Sequence, residues 1–204
     1  MNGFYQDLIT EKSWELLKSL VKSMDFTLIG GWAVYLYTQT LKSKDIDIIV
    51  DLSDLEYLKK QFILVKNERL KKYEVKKDGV DIDIYIPYYS NPGIKAEEII
   101  KYKNRKEGFS VPQKEVLLLT KQKAYQERQT SSKGQKDKID IISLLMLADF
   151  DFKLYGVLFK RYNLSAYDQM IKDILAETKE VPELGLNRHF FAKKKREILT
   201  KLLF

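Results

Sequence analysis

The sequence has no cysteine and a single histidine, His189. The first absence excludes disulfides and thiolate metal sites. The second argues against a histidine-based triad or a histidine-rich zinc site. Any catalysis therefore falls to carboxylates, lysines and a hard metal ion. Long hydrophobic runs are also missing. The longest, such as IDIIVDL and IISLLMLADF, fall well short of the roughly 20 residues that cross a bilayer. The opening stretch MNGFYQDLITEKSWELL lacks a basic region followed by an apolar core, so no signal peptide or membrane partner is expected and the expected compartment is the cytoplasm.

What is present is an ordinary soluble composition, 45% hydrophobic and 32% charged over 204 residues. That length suffices for one large domain or two small ones with a real core. The formal charge is +7 and the isoelectric point is about 9.2. This balance suits a polyanionic partner such as a nucleotide or nucleic acid, and equally a lysine-rich surface that serves solubility.

Periodicity divides the chain into two characters. Trp14, Leu17, Leu20, Val21 and Met24 form a helical stripe within residues 4–24. Phe26–Ile29 reads as a short strand ending at Gly30-Gly31, and WAVYLYTQTL reads as a helix. KSKDIDIIVDL reads as a strand, with Ser53 and Glu56 in a capping-box pattern after it. LKKYEVKKDGVDIDIYIPY reads as a hairpin turning at Asp78-Gly79, and AEEIIKYK as a short helix. From Gln113 onward the pattern is helical almost to the end, with Pro112 suited to a helix start. The expected fold class is α+β: a mixed sheet with flanking helices over residues 1–111, then a helical bundle over 112–204.

Two DID triplets carry the chemistry. Residues two apart on a strand face the same way, so Asp45 and Asp47 stand together while Ile46 and Ile48 face the core. Adjacent carboxylates repel, and partial burial raises the cost; a divalent cation offsets it. Magnesium suits such oxygen donors, with manganese the alternative ion. Asp81 and Asp83 repeat the geometry on the hairpin, and on a neighbouring strand they bring a third carboxylate, enough for two metal ions. The plain alternative is an exposed polar strand face. Gly30-Gly31, between a strand and a helix, permits a sharp turn and close approach of a phosphate to the helix N-terminus.

LIGGWAVYLYTQTLKSKDIDIIV, with GVDIDIYIP, resembles the signature of the DNA polymerase β-like nucleotidyltransferase superfamily. The resemblance implies a nucleotidyltransferase core that uses two magnesium ions to transfer NMP from an NTP such as ATP. It implies that Asp45, Asp47 and Asp83 are catalytic metal ligands, with Asp81 the alternate for the third. Gly30, Gly31 and Ser43 would bind nucleotide.

The stretch VPQKEVLLLTKQKAYQERQTSSKGQKDKIDIISLL is similar to the AbiEii-type, or MenA-like, toxins of toxin–antitoxin systems. The matching positions are Lys121, Ala124, Arg128, Lys136, Asp137 and Asp140. This likeness implies that Lys121 holds the triphosphate, that Asp137 belongs to the same nucleotide site, and that Arg128 positions phosphate or bridges to Asp137. It also implies an RNA acceptor such as a tRNA 3′ end and a cognate antitoxin. Two departures stand out: Leu41-Lys42-Ser43-Lys44 retains only Ser43 of the usual approach to the first Asp, and Lys136 replaces an arginine. Read without the likeness, Lys121 is a surface lysine whose stem covers apolar groups, and Asp137 and Asp140 are first-turn helix acids. Other readings of the whole chain are nucleotidylation of a small molecule or a protein side chain, and a non-catalytic nucleotide-binding or antitoxin-like partner. The basic C-terminal stretch reads either as an RNA-binding helix or as a charged helix packed through Ile198, Leu199, Leu202 and Leu203.

Overall fold

The computed structural model describes residues 2–202. The chain divides into two compact units, Met1–Gln113 and Lys114–Phe204. The fold is α+β, and among the described residues every strand lies in the first unit.

In the first unit, helix α1 (Asn2–Leu20) leads to strand β1 (Thr27–Ile29), helix α2 (Gly30–Thr38) and strand β2 (Ile46–Ile49). Helix α3 (Leu52–Gln61) precedes β3 (Val65–Asn67), β4 (Lys72–Lys77) and β5 (Val80–Tyr85). The five strands form one sheet in the order β1-β2-β5-β4-β3. β2 and β5 run parallel, and the other pairings are antiparallel. Alternation decides the faces: Ile46, Ile48, Val80, Ile82 and Ile84 are buried on one side, and the acids between them line the other. The expected turn at Asp78-Gly79 is present, with φ of 52° and 85°, as a type I′ turn requires.

Trp32 anchors α2 against α1. Its ring lies 4.8 Å from that of Trp14, and its Nε1 donates to Ser13 Oγ at 2.8 Å. The buried indole N–H thus keeps a partner, which a core tryptophan needs. Val21, expected in the helical stripe, falls beyond the end of α1 and is 38% exposed.

Several expectations need correction. β2 begins at Ile46, so Asp45 sits in the bend before the strand. α3 starts at Leu52 with Asp51 as its N-cap residue, which puts Ser53 inside the first turn and removes the capping box. The AEEIIKYK helix is one turn, α4 (Ala96–Ile99), continued as a 3₁₀ turn. A second hairpin, β6 (Lys103–Lys106) and β7 (Phe109–Pro112), follows, so Pro112 ends a strand and does not start a helix.

The second unit contains α5 (Lys114–Arg128), α6 (Ser132–Leu145), α7 (Phe152–Arg161), α8 (Ser165–Glu177) and α9 (Arg188–Lys201). Gln122 of α5 ties three helices: Tyr155 donates to its Oε1 at 3.0 Å, and its Nε2 donates to the Tyr167 carbonyl at 3.1 Å. α9 packs through Phe191, Ile198 and Leu202, all buried, which supports the packed reading of the basic stretch; Leu203 lies outside the described residues. Among the described residues, no helix is long and apolar enough to cross a membrane.

Candidate active site

The first unit gathers acids into a row. Parallel pairing sets Asp47 opposite Asp83, and antiparallel pairing sets Glu74 opposite Asp83. Directly paired residues share a face, so Asp47, Asp83 and Glu74 stand side by side across three central strands, at steps of about 4.8 Å. Asp81 instead lies opposite Lys76 and pairs with it at 3.6 Å on the more exposed end of the hairpin. Of the two candidates for a third carboxylate, Asp83 is the one beside Asp47. Asp45, half-buried in the bend before β2, is near enough for its charge to act on Asp83.

Like charges in adjacent register destabilise a sheet, and here a lysine offsets them. Lys72 lies two residues before Glu74 on the same strand face and is 8% exposed. Its Nζ sits 2.6 Å from Asp83 Oδ2 and 3.0 Å from Glu74 Oε1. Asn67 Nδ2 also donates to Glu74 Oε1 at 2.9 Å. Burial pushes the Asp83 carboxyl above its ordinary range; Lys72 opposes this, while the charges of Glu74 and Asp45 add to it. Burial would also raise Glu74, but the hydrogen bonds from Lys72 and Asn67 outweigh it and hold Glu74 below its ordinary value. Burial alone would lower Lys72, yet Asp83 and then Glu74 keep its ammonium above the usual range.

The glycine turn meets this row directly. Ile29 pairs with Asp47, and the next residue, Gly30, has φ of +67°. A Cβ on Gly30 would lie 2.8 Å from Asp47 Cβ and closer still to Cγ and Oδ2. Glycine is thus required twice, for its backbone angle and for room beside the carboxylate. Gly31 is buried in the first turn of α2, and Ser43 is buried in the loop before β2.

The donors present are hard oxygens, which suit magnesium or manganese. Among the described residues no three carboxylate or imidazole groups already converge as a metal cage. Asp47 and Asp83, with Asp45 beside them, fit a cation that takes one or two carboxylates and completes its shell with water and phosphate.

The second unit holds the other predicted residues. Ser131 is the N-cap residue of α6, its Oγ accepting from Gly134 N at 3.0 Å and donating to the Arg128 carbonyl at 2.7 Å. A Cβ on Gly134 would lie 2.8 Å from Gln129 Cα and nearer still to the Arg128 carbonyl, so the two helix ends meet at backbone distance. α6 therefore starts earlier than the apolar pattern alone suggests. Asp137 and Asp140 lie beyond its first turn, which overturns the reading of them as first-turn acids.

Both aspartates are buried, and so is Lys121, at 6% exposure, which overturns its reading as a surface lysine. Lys121 Nζ lies 3.2 Å from Asp137 Oδ1 and 2.6 Å from Asp140 Oδ2. Arg128 grips Asp137 with two prongs, Nε to Oδ2 at 2.7 Å and Nη2 to Oδ1 at 3.1 Å. The bridge to Asp137 is thus the one present. Lys136 adds positive charge near Asp140, and Ala124 is half-buried on α5.

Asp140 Oδ2 is ion-paired with Lys121 at 2.6 Å, while Oδ1 is buried with no hydrogen-bond partner. Burial pushes the Asp140 carboxyl up, against the pull of Lys121. The folded chain therefore binds this proton more tightly than the unfolded chain. Its contribution to stability is full below the ordinary value of 3.8 and is lost as pH rises through the raised value. Asp140→Asn removes that loss, so the stability of the variant relative to wild type is expected to increase as pH rises above 3.8. Urea unfolding at several pH values measures it.

No protein family model and no curated protein matches the chain. Among solved structures it is similar to JHP933 from Helicobacter pylori, at 17% identity and a TM-score of 0.49 over 95% of this chain and 93% of that one. It is also similar to an antigenic nucleotidyltransferase-like protein from Paracoccidioides brasiliensis, at 19% identity and a TM-score of 0.39 over 79% of this chain and 90% of that one. Both TM-scores fall below 0.5, and neither likeness assigns an activity to this chain.

Proposed function

We propose that the chain is a magnesium-dependent nucleotidyltransferase that moves NMP from an NTP to a hydroxyl acceptor, the 3′ end of an RNA such as tRNA. The observation that carries this reading is the close approach of Gly30 to Asp47, with Asp47 in register with Asp83. The glycine turn and the carboxylate pair then lie next to one another. Asp45, Asp47 and Asp83 would hold the metal, which when bound neutralises charge on the phosphates. The backbone at Gly30 and the first N–H groups of α2 would receive the triphosphate, which a helix N-terminus favours.

In the reaction the acceptor oxygen bonds to the α-phosphorus, the bond from that phosphorus to the bridging oxygen breaks, and pyrophosphate leaves. The hydroxyl proton would pass to Asp83, the third carboxylate of the row, in register with Asp47. The positive charge of the chain, +7, favours a polyanionic acceptor over a neutral one. A toxin role with a cognate antitoxin is the biological setting this activity fits. Lys121, Arg128, Asp137 and Asp140 hold α5 and α6 together.

The test is incubation with each α-labelled NTP, magnesium and tRNA. Label at the tRNA 3′ end is the expected result. Label on protein or on a small hydroxylated compound instead replaces the acceptor, and no label anywhere overturns the activity.

A further inference from the structure

Lys72 stands where a bound cation would compete with it. Its ammonium is 2.6 Å from Asp83 Oδ2, and its side chain is 10% exposed, so it is held in place and not waving in solvent. The same ammonium is 3.0 Å from Glu74 Oε1. Glu74 is on the far side of Asp83 from Asp47, as the strand pairing shows. The lysine therefore has a second carboxylate to retire to, one step along the row. A flexible four-carbon stem makes that step possible without moving the backbone.

We propose that Lys72 is a tethered cation that competes with the divalent metal for Asp83 and moves toward Glu74 when the metal binds. The inference rests on the metal-binding reading above. Its consequence is that the protein alone binds metal weakly, because the site already carries a positive charge. An NTP brings phosphate oxygens that supply further ligands and shift the balance to the metal. Lys72 thus couples metal loading to nucleotide loading. Lys76, four residues along the same strand face, provides a control, since it pairs with Asp81 at 3.6 Å in a largely exposed position.

The experiment is Mn²⁺ titration of the protein without nucleotide, followed by calorimetry or by the spin resonance of free Mn²⁺. Lys72→Met removes the charge and keeps the stem. It is expected to bind Mn²⁺ about ten-fold tighter than wild type, as removal of a near like charge should allow. Lys76→Met is expected to stay within about two-fold, because exposed charges are screened. Lys72→Gln repeats the measurement with a polar side chain and covers a folding failure of the methionine variant, which circular dichroism detects. Mn²⁺ affinity unchanged or weaker in the folded Lys72 variants overturns the proposal, provided that Asp83→Asn weakens it. If Asp83→Asn leaves Mn²⁺ binding as in wild type, the metal reading itself falls, and the role of Lys72 with it.

Discussion

Asp45→Asn combined with Asp47→Asn is expected to lower NMP transfer by on the order of 10³-fold or more, with the fold retained. The substitution is nearly isosteric, so packing does not change. Ile46, Ile48 and Ile49 keep β2 in the core. What changes is charge. Two acids leave a region where Asp45 and Asp83 already repel each other and where Asp83 and Glu74 are neighbours in register. Relief of that repulsion leaves thermal stability equal to or above that of wild type. A label-transfer assay beside a melting curve reads both quantities. Activity at the wild-type level in the double variant would show that this row is not the reacting centre.

Gly30→Ala is expected to damage stability and activity together. An alanine at φ +67° is strained, and its Cβ collides with Asp47 from Cβ to Oδ2. Strain and collision together should cost about 2–4 kcal/mol of unfolding free energy. Relief of the clash also pushes Asp47 away from the turn, so transfer falls even in the fraction that folds. Gly79→Ala separates the two causes. Gly79 has φ of +85°, but nothing lies within 4 Å of a Cβ built there. It should therefore suffer only the backbone penalty, about 1–2 kcal/mol, and keep its activity. Equal losses for the two alanines, read by denaturant unfolding, would contradict the close approach of Gly30 to Asp47.

These residues also mark how far the sequence could be read. The Gly-Gly turn, the alternation through Asp47 and the hairpin at Asp78-Gly79 are local patterns, and each has a local cause. Glu74 was within reach as well. A two-residue turn pairs Lys77 with Val80, and counting back from it pairs Glu74 with Asp83. Lys72 was not within reach, because its role depends on where a flexible side chain points. β3 and β6 carry no periodic signal in the sequence, because they are mostly exposed edge strands with polar and charged residues and no apolar alternation. The start of α6 was hidden in the same way: Ser132 to Lys136 is polar, and Gly134 is there for backbone contact and not to break a helix. Burial of Lys121 could not be read either, since only partners distant in the chain reveal it.

The strand order also has a consequence for assembly. β3, β4 and β5 follow one another along the chain and pair with their sequence neighbours, so Lys72 and Asp83 are brought together by a short hairpin. Asp47 joins Asp83 by parallel pairing of β2 with β5, after the chain has passed through α3, β3 and β4. Loop closure is entropically cheaper for the first contact than for the second. The compensating charge is thus encoded in the same local ribbon as the acid it compensates, and only the last carboxylate has to come from afar.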